Sequence, residues 1–202
     1  MHQHLSFDLD GTIVDSKSSI NAAVKHAMMD LDFEYNDQIV AGASLDDLMN
    51  KLNINNDDKI KLIKERFIFH YDRHYCIETQ LFFGFKETLV TLSQRNVELT
   101  LVTNKRSAPT LKILRQLGLN SLFKKVWCID SSSKLCNKSQ ILQYIRVSGA
   151  RNIYIGDLDT DHIAAQNANY EFFHASWGYG APAGHHFLEN SEEILDLIQV
   201  GI

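Results

Sequence analysis

The feature that most constrains this chain is an alternation of strand-like and helix-like segments, broken once by a long helical stretch. Short strand-like runs occur at Leu5–Leu9, Val97–Val102, Val126–Ile129, Asn152–Ile155 and Glu171–Ala175. Helical periodicity separates them at Phe85–Gln94, Ser107–Leu117, Lys138–Val147 and Thr160–Asn169, with Ser191–Val200 as a closing helix capped by Ser191. Strands that alternate with helices form a parallel sheet covered on both faces. From about residue 17 to about residue 80 the pattern is helical throughout. It includes Ala22–Leu31, Leu45–Leu52 with Ser44 three residues ahead of Asp47, and a long run opened by Asp57 and Asp58. The expected fold is α/β: a doubly wound, Rossmann-like parallel sheet formed by residues 1–16 and 81–202. A small all-helical cap, residues 17–80, is inserted after the first strand.

At 202 residues the chain has the length of one ordinary domain, or one domain plus a small insert. Its hydrophobic fraction of 45% and charged fraction of 22% are those of a globular protein with a substantial core. No apolar run approaches the roughly 18 residues that a membrane span needs. The N-terminus carries no basic stretch followed by an apolar one, and the three cysteines lack metal-type spacing. A cytoplasmic protein with reduced thiols is therefore expected. The net charge of −5 speaks against a nucleic-acid surface.

Ligands of open α/β sheets bind beyond the carboxyl ends of the strands, so the residues that follow each strand are the candidates for chemistry. They are Asp8-Leu9-Asp10-Gly11-Thr12 after the first strand, Thr103-Asn104-Lys105 after the second, and Gly156-Asp157-Leu158-Asp159-Thr160-Asp161 after the fourth. Asp8 and Asp10 lie two apart on extended backbone and project to the same side. With Asp157 added, three carboxylates crowd one place. Such a cluster repels itself unless a cation intervenes, and an all-oxygen donor set suits Mg²⁺.

The run Phe7-Asp8-Leu9-Asp10-Gly11-Thr12-Ile13-Val14-Asp15-Ser16 closely resembles the first motif of the haloacid dehalogenase superfamily, in its phosphatase branch. Leu101-Val102-Thr103-Asn104-Lys105 resembles the second motif, and Ile155-Gly156-Asp157-Leu158-Asp159-Thr160-Asp161 the fourth. The chain as a whole looks like phosphoglycolate-phosphatase-like members, which carry a helical cap between the first two motifs. Trp177-Gly178-Tyr179-Gly180 is similar to a stretch common in that group. The third motif, a lysine between the second and fourth, has two candidates. Lys138 opens a helix and is favoured; Lys134 lies in the loop of Ser131 to Ser133.

The resemblance implies a Mg²⁺-dependent phosphatase acting on a small phosphorylated metabolite. Asp8 would be the nucleophile and Asp10 the general acid–base. Thr103, Asn104 and Lys138 would bind phosphate. Asp8, Asp10 through its backbone carbonyl, and Asp157 would hold the metal, with Asp161 supporting them from behind. The acid at position 10 disfavours carbon–halogen cleavage, because a halide needs no proton. A phosphomutase of the hexose-phosphate type and a catalytically idle binding protein on the same fold stay open as alternatives. So do the choice between monomer and homodimer, the substrate itself, and any role for His185 and His186. No nucleic-acid or membrane partner is expected.

Overall fold

The computed structural model describes residues 3–33, 49–50, 54–180 and 186–198. The chain forms two compact units, Met1–Asp15 together with Gln80–Ile202, and Ser16–Thr79.

The first unit is built on a six-stranded, all-parallel sheet. Its strands are β1 (Gln3–Phe7), β4 (Glu98–Thr103), β5 (Lys125–Cys128), β6 (Arg151–Gly156), β7 (Glu171–Ala175) and β8 (His186–Leu188), in the spatial order β5-β4-β1-β6-β7-β8. The chain winds outward from β1 through β4 to β5, then crosses back to β6 on the other side of β1. That reversal places the switch point at the carboxyl ends of β1, β4 and β6, where such sheets bind ligands. Register fixes the neighbours: Phe7 lies beside Leu101 of β4 and Ile155 of β6. A short antiparallel pair, β2 (Val14–Asp15) with β3 (Gln80–Leu81), stands apart from the main sheet.

Strands buried on both faces read as nearly unbroken apolar runs. Leu5, Phe7, Leu101, Val102, Ile153 and Ile155 are fully buried. On one face, Val102 and Tyr154 pack with Ile141 and Leu142 of helix α5 (Lys138–Ile145) and with Ala164 and Ala165 of α6 (Asp159–Asn167). Phe7 meets Phe85 edge-on, at 6.2 Å between ring centroids. Phe85 opens helix α3 (Phe85–Gln94), which buries Leu89 and Leu92. Helix α4 (Ser107–Gln116) connects β4 to β5.

The second unit contains α1 (Lys17–Met29) and α2 (Asp57–His70), the latter continued by a π turn and a 3₁₀ turn through Glu78. Asn56 caps α2 by accepting the Lys59 N–H at 3.0 Å, and Asp57 and Asp58 sit favourably at the positive end of the helix dipole. Val24 and Met28 of α1 and Ile63 of α2 share a small core with Met49. Most of the helix expected over Leu45–Leu52 lies outside the described residues.

Three elements differ from the sequence reading. The last strand, β8, has no counterpart among the expected strands; three residues suffice to pair with β7 at a sheet edge. The closing helix is a 3₁₀ helix, Ser191–Leu197, and its cap is Asn190 rather than Ser191: the Asn190 side chain accepts the N–H groups of Glu192 and Glu193. β1 ends at Phe7, so Asp8 and Leu9 lie beyond the strand and not within it.

Asn152, near the amino end of β6, knits the loop before it. Its amide accepts the Val147 N–H at 2.9 Å and donates to the carbonyls of Val147 and Ala150 at 2.8 and 2.9 Å. Asn152→Ala leaves those partly buried groups without this partner and is expected to cost about 1–3 kcal/mol in a urea titration. Activity should be kept, since the residue lies at the opposite edge from the candidate site.

Candidate active site

The site assembles at the switch point because three strands end there in residues that cannot remain apolar. Asp8 follows β1, Thr103 ends β4 and Asp157 follows β6. Lys138 is the first residue of α5, whose N-terminus is capped by Asn137 accepting the Gln140 N–H at 2.9 Å. Asp8, Thr103, Lys138, Asp157 and Asp161 are all buried. Charged side chains are buried only when paired or when they coordinate something.

The Lys138 ammonium lies 2.9 Å from Asp8 Oδ1 and 2.5 Å from Asp161 Oδ1. Lys134 is exposed, so the structure brings Lys138, and not Lys134, to the cluster. Asp161 is fully committed: its Oδ1 meets Lys138, and its Oδ2 accepts the backbone N–H groups of Asp157 and Leu158 at 3.2 and 3.1 Å. It thereby fixes Lys138 and the turn that carries Asp157. Asp159, two residues earlier, is exposed.

Two donors hold the Asp157 carboxylate. The Thr12 hydroxyl donates to Oδ1 at 3.1 Å, and the Tyr179 N–H donates to Oδ2 at 2.9 Å. Two glycines admit its carboxylate. A Cβ on Gly11, whose φ is +79°, would stand 2.1 Å from Asp157 Oδ2, and a Cβ on Gly178 would stand 2.2 Å from Asp157 Cβ. The sequence reading gave Thr12, Gly178 and Tyr179 no role, although Thr12 and the Trp177–Gly180 stretch both lay within matched motifs. Trp177 anchors that stretch by donating its indole N–H to the Thr12 carbonyl at 2.8 Å. Tyr154 was also missed; its hydroxyl donates to the Val102 carbonyl at 3.1 Å, directly behind Asp161.

Asp10 faces elsewhere. Its Oδ1 is 3.0 Å from the Lys105 ammonium, and it is not one of the three carboxylates that crowd together. Asn104 is exposed just beyond β4. His185 lies outside the described residues, and His186 stacks on Phe173 within β8.

One ammonium thus faces three buried carboxylates. Burial pushes the Asp8 carboxyl up to about 8, with Asp161, Asp157 and Asp10 adding to the rise and Lys138 opposing it. Burial likewise pushes Asp157 up to about 7, against the donors from Tyr179 and Thr12. For Lys138, burial favours loss of the proton, but Asp161 and Asp8 outweigh it and hold the ammonium charged above its ordinary range. Asp8, Asp157 and Asp161 each offer an oxygen, all within 4.8 Å of one another. Hard oxygen donors with uncompensated charge fit a divalent cation such as Mg²⁺. Asp161 is paired with the Lys138 ammonium, whereas Asp157 meets only neutral donors, so its charge is left to be balanced by an ion together with that of Asp8.

The chain matches the haloacid dehalogenase-like hydrolase family over residues 5–175, and it belongs to that family. It is similar to the phosphoglycolate phosphatase of Pasteurella multocida, at 27% identity over 87% of this chain and 86% of that one. It is also similar to that of Colwellia psychrerythraea, at 29% identity over 87% and 84% of the two chains. A solved haloacid dehalogenase-like hydrolase from Streptococcus pneumoniae shares the fold, with a TM-score of 0.85 at 22% identity, covering 98% of this chain and 99% of that one. Among the described residues, no helix is long and apolar enough to cross a membrane.

Two outcomes follow from this geometry. Raised carboxyl pKa values mean that the folded, metal-free protein binds more protons than the unfolded chain between about pH 4 and pH 8. The contribution of these groups to stability therefore falls as pH rises through that window, and a cation that takes the place of the protons reverses the loss. Adding Mg²⁺ should raise Tm more at pH 8 than at pH 5.5, as read by scanning calorimetry. An equal gain at both values would contradict the assignment of the cluster. Separately, Lys138→Ala should lower kcat/KM about 10²–10³-fold, whereas Lys134→Ala, assayed beside it, should change little.

Proposed function

We propose that this phosphoric monoester hydrolase cleaves a small phosphorylated metabolite through an aspartyl-phosphate intermediate on Asp8. The observation that carries the reading is a buried carboxylate at the switch point, held beside a buried ammonium and facing a second carboxylate fixed by two donors. Asp8 attacks phosphorus in line, and its oxygen forms a bond to phosphorus as the ester P–O bond breaks. Asp10 gives its proton to the departing oxygen, so an alcohol leaves. Asp10, now a carboxylate, takes a proton from water as that water attacks phosphorus. The bond to Asp8 then breaks, and inorganic phosphate is released. Lys138 favours the anionic form of Asp8 against the effect of burial and offsets charge on the phosphoryl oxygens, and the Thr103 hydroxyl and Asn104 amide are donors to them.

Mg²⁺ bound by the Asp8 and Asp157 carboxylates and the Asp10 carbonyl would supply charge neutralisation at a phosphoryl oxygen. Asp161 acts through Lys138 and through the Asp157 turn. The names of the curated relatives and the order of the motifs support phosphomonoesters as the substrate class. Within the same reading the helical unit is the cap expected for residues 17–80, and it selects the substrate.

Asp8→Asn keeps the shape but replaces the nucleophile with an amide. It should lower kcat on any phosphomonoester to the assay background while leaving Tm within a few degrees. Retention of more than a few per cent of kcat would remove Asp8 from the role. Exhaustive dialysis against EDTA should silence the wild-type enzyme and Mg²⁺ should restore it, with Ca²⁺ a poor substitute because of its looser coordination.

A further inference from the structure

Lys105 lies directly after the Thr103-Asn104 pair, and its side chain is largely covered. Only 9% of its side chain is exposed, against 23% for Asp10, its partner at 3.0 Å. Its backbone is held from both sides: the N–H donates to Thr103 Oγ1 at 3.1 Å, and the carbonyl accepts the Ile129 N–H at 3.4 Å. The Asp10 backbone is fixed as well. Asp10 bridges to Val14, and the next residue, Gly11, donates its N–H to the Val14 carbonyl at 2.9 Å. Asp10 Oδ1 is buried and receives no directed hydrogen bond among the described residues, so the Lys105 ammonium is what faces it.

We infer that Lys105 is a positioning residue for Asp10: it fixes the rotamer of the acid–base carboxyl, holding it apart from the Asp8, Asp157 and Asp161 cluster. The inference rests on the reading of Asp10 as proton donor. The physical case is geometric. A free Asp10 side chain, two residues from Asp8, can turn toward Lys138, which already pairs with Asp8. It would then join the carboxylates that crowd Asp8 instead of meeting the ester oxygen. Lys105, two residues beyond the end of β4, supplies a competing cation 3.0 Å from Asp10 Oδ1. Proton transfer needs the carboxyl within hydrogen-bond reach of the leaving oxygen, so rotamer freedom costs rate.

A role in positioning the acid predicts a dependence on the leaving group that a phosphate-binding lysine would not show. An aryl phosphate such as p-nitrophenyl phosphate expels a stable anion and needs little protonation. An alkyl phosphate such as glycerol 3-phosphate needs a full proton. Lys105→Met should therefore lower kcat/KM on the alkyl ester about 10-fold or more beyond its effect on the aryl ester. Lys105→Arg should restore part of the difference. In the double variant, adding Lys105→Met to Asp10→Asn should cost nothing further on the alkyl ester. Equal losses on both esters, or additive losses in the double variant, would overturn the inference and make Lys105 a phosphate ligand or a purely structural residue. Asp10→Asn alone separates this failure from that of the underlying reading. If that variant shows no leaving-group dependence, Asp10 is not the acid. If it shows the dependence and Lys105→Met does not, only the inference falls.

Discussion

The arrangement depends on one buried ammonium. Lys138 sits between Asp8 and Asp161, and nearly all of the site's geometry can be traced from that contact. Removing two charges from water costs several kcal/mol per ion, and their attraction repays it only if the remaining lone pairs are also satisfied. Asp161 meets that condition through two backbone N–H groups, and Asp157 through Thr12 and Tyr179. Asp8 is less well supplied: among the described residues its buried Oδ1 meets the Lys138 ammonium alone. A group left short in this way, in a pocket where carboxylates outnumber ammoniums, is poised to take a cation and a phosphoryl group.

The scaffold explains why such a strained collection of charge persists. β1, β4 and β6 are packed on both faces, so their carboxyl ends cannot drift apart. The Gly11 and Gly178 positions have no room for a side chain, which lets the Asp157 carboxylate lie against the backbone. Replacing either glycine would push directly on the metal-type cluster while leaving the strands untouched. Preorganisation of this kind, in which fixed groups surround the place where charge develops, is the usual source of rate in phosphoryl transfer.

Much of this was legible in the sequence, for identifiable reasons. Alternating apolar runs and helical periods reveal a parallel sheet, because each element must bury a face. The carboxylates at the ends of β1 and β6 stand out since charge rarely follows a buried strand without purpose. Local capping was less legible: Asn190 and Ser191 are both good caps, and only the chain's path decides between them. β8 was missed because its three residues His186-Phe187-Leu188 carry no alternation long enough to read. The pairing of Asp10 with Lys105 and the cradle around Asp157 were also beyond reach. Both join residues far apart in sequence, and neither has a local pattern.

The most direct test of this account is chemical trapping on Asp8. Asp10→Asn should still be phosphorylated by acetyl phosphate, whose leaving group needs no proton, yet it lacks the base that activates water, so the acyl phosphate should accumulate. Quenching with borohydride reduces an acyl phosphate to the alcohol, and peptide mass spectrometry then locates it. The account predicts reduction at Asp8, dependent on Mg²⁺ and acetyl phosphate. Phosphoryl transfer that leaves Asp8 unreduced, or marks another residue, would contradict it.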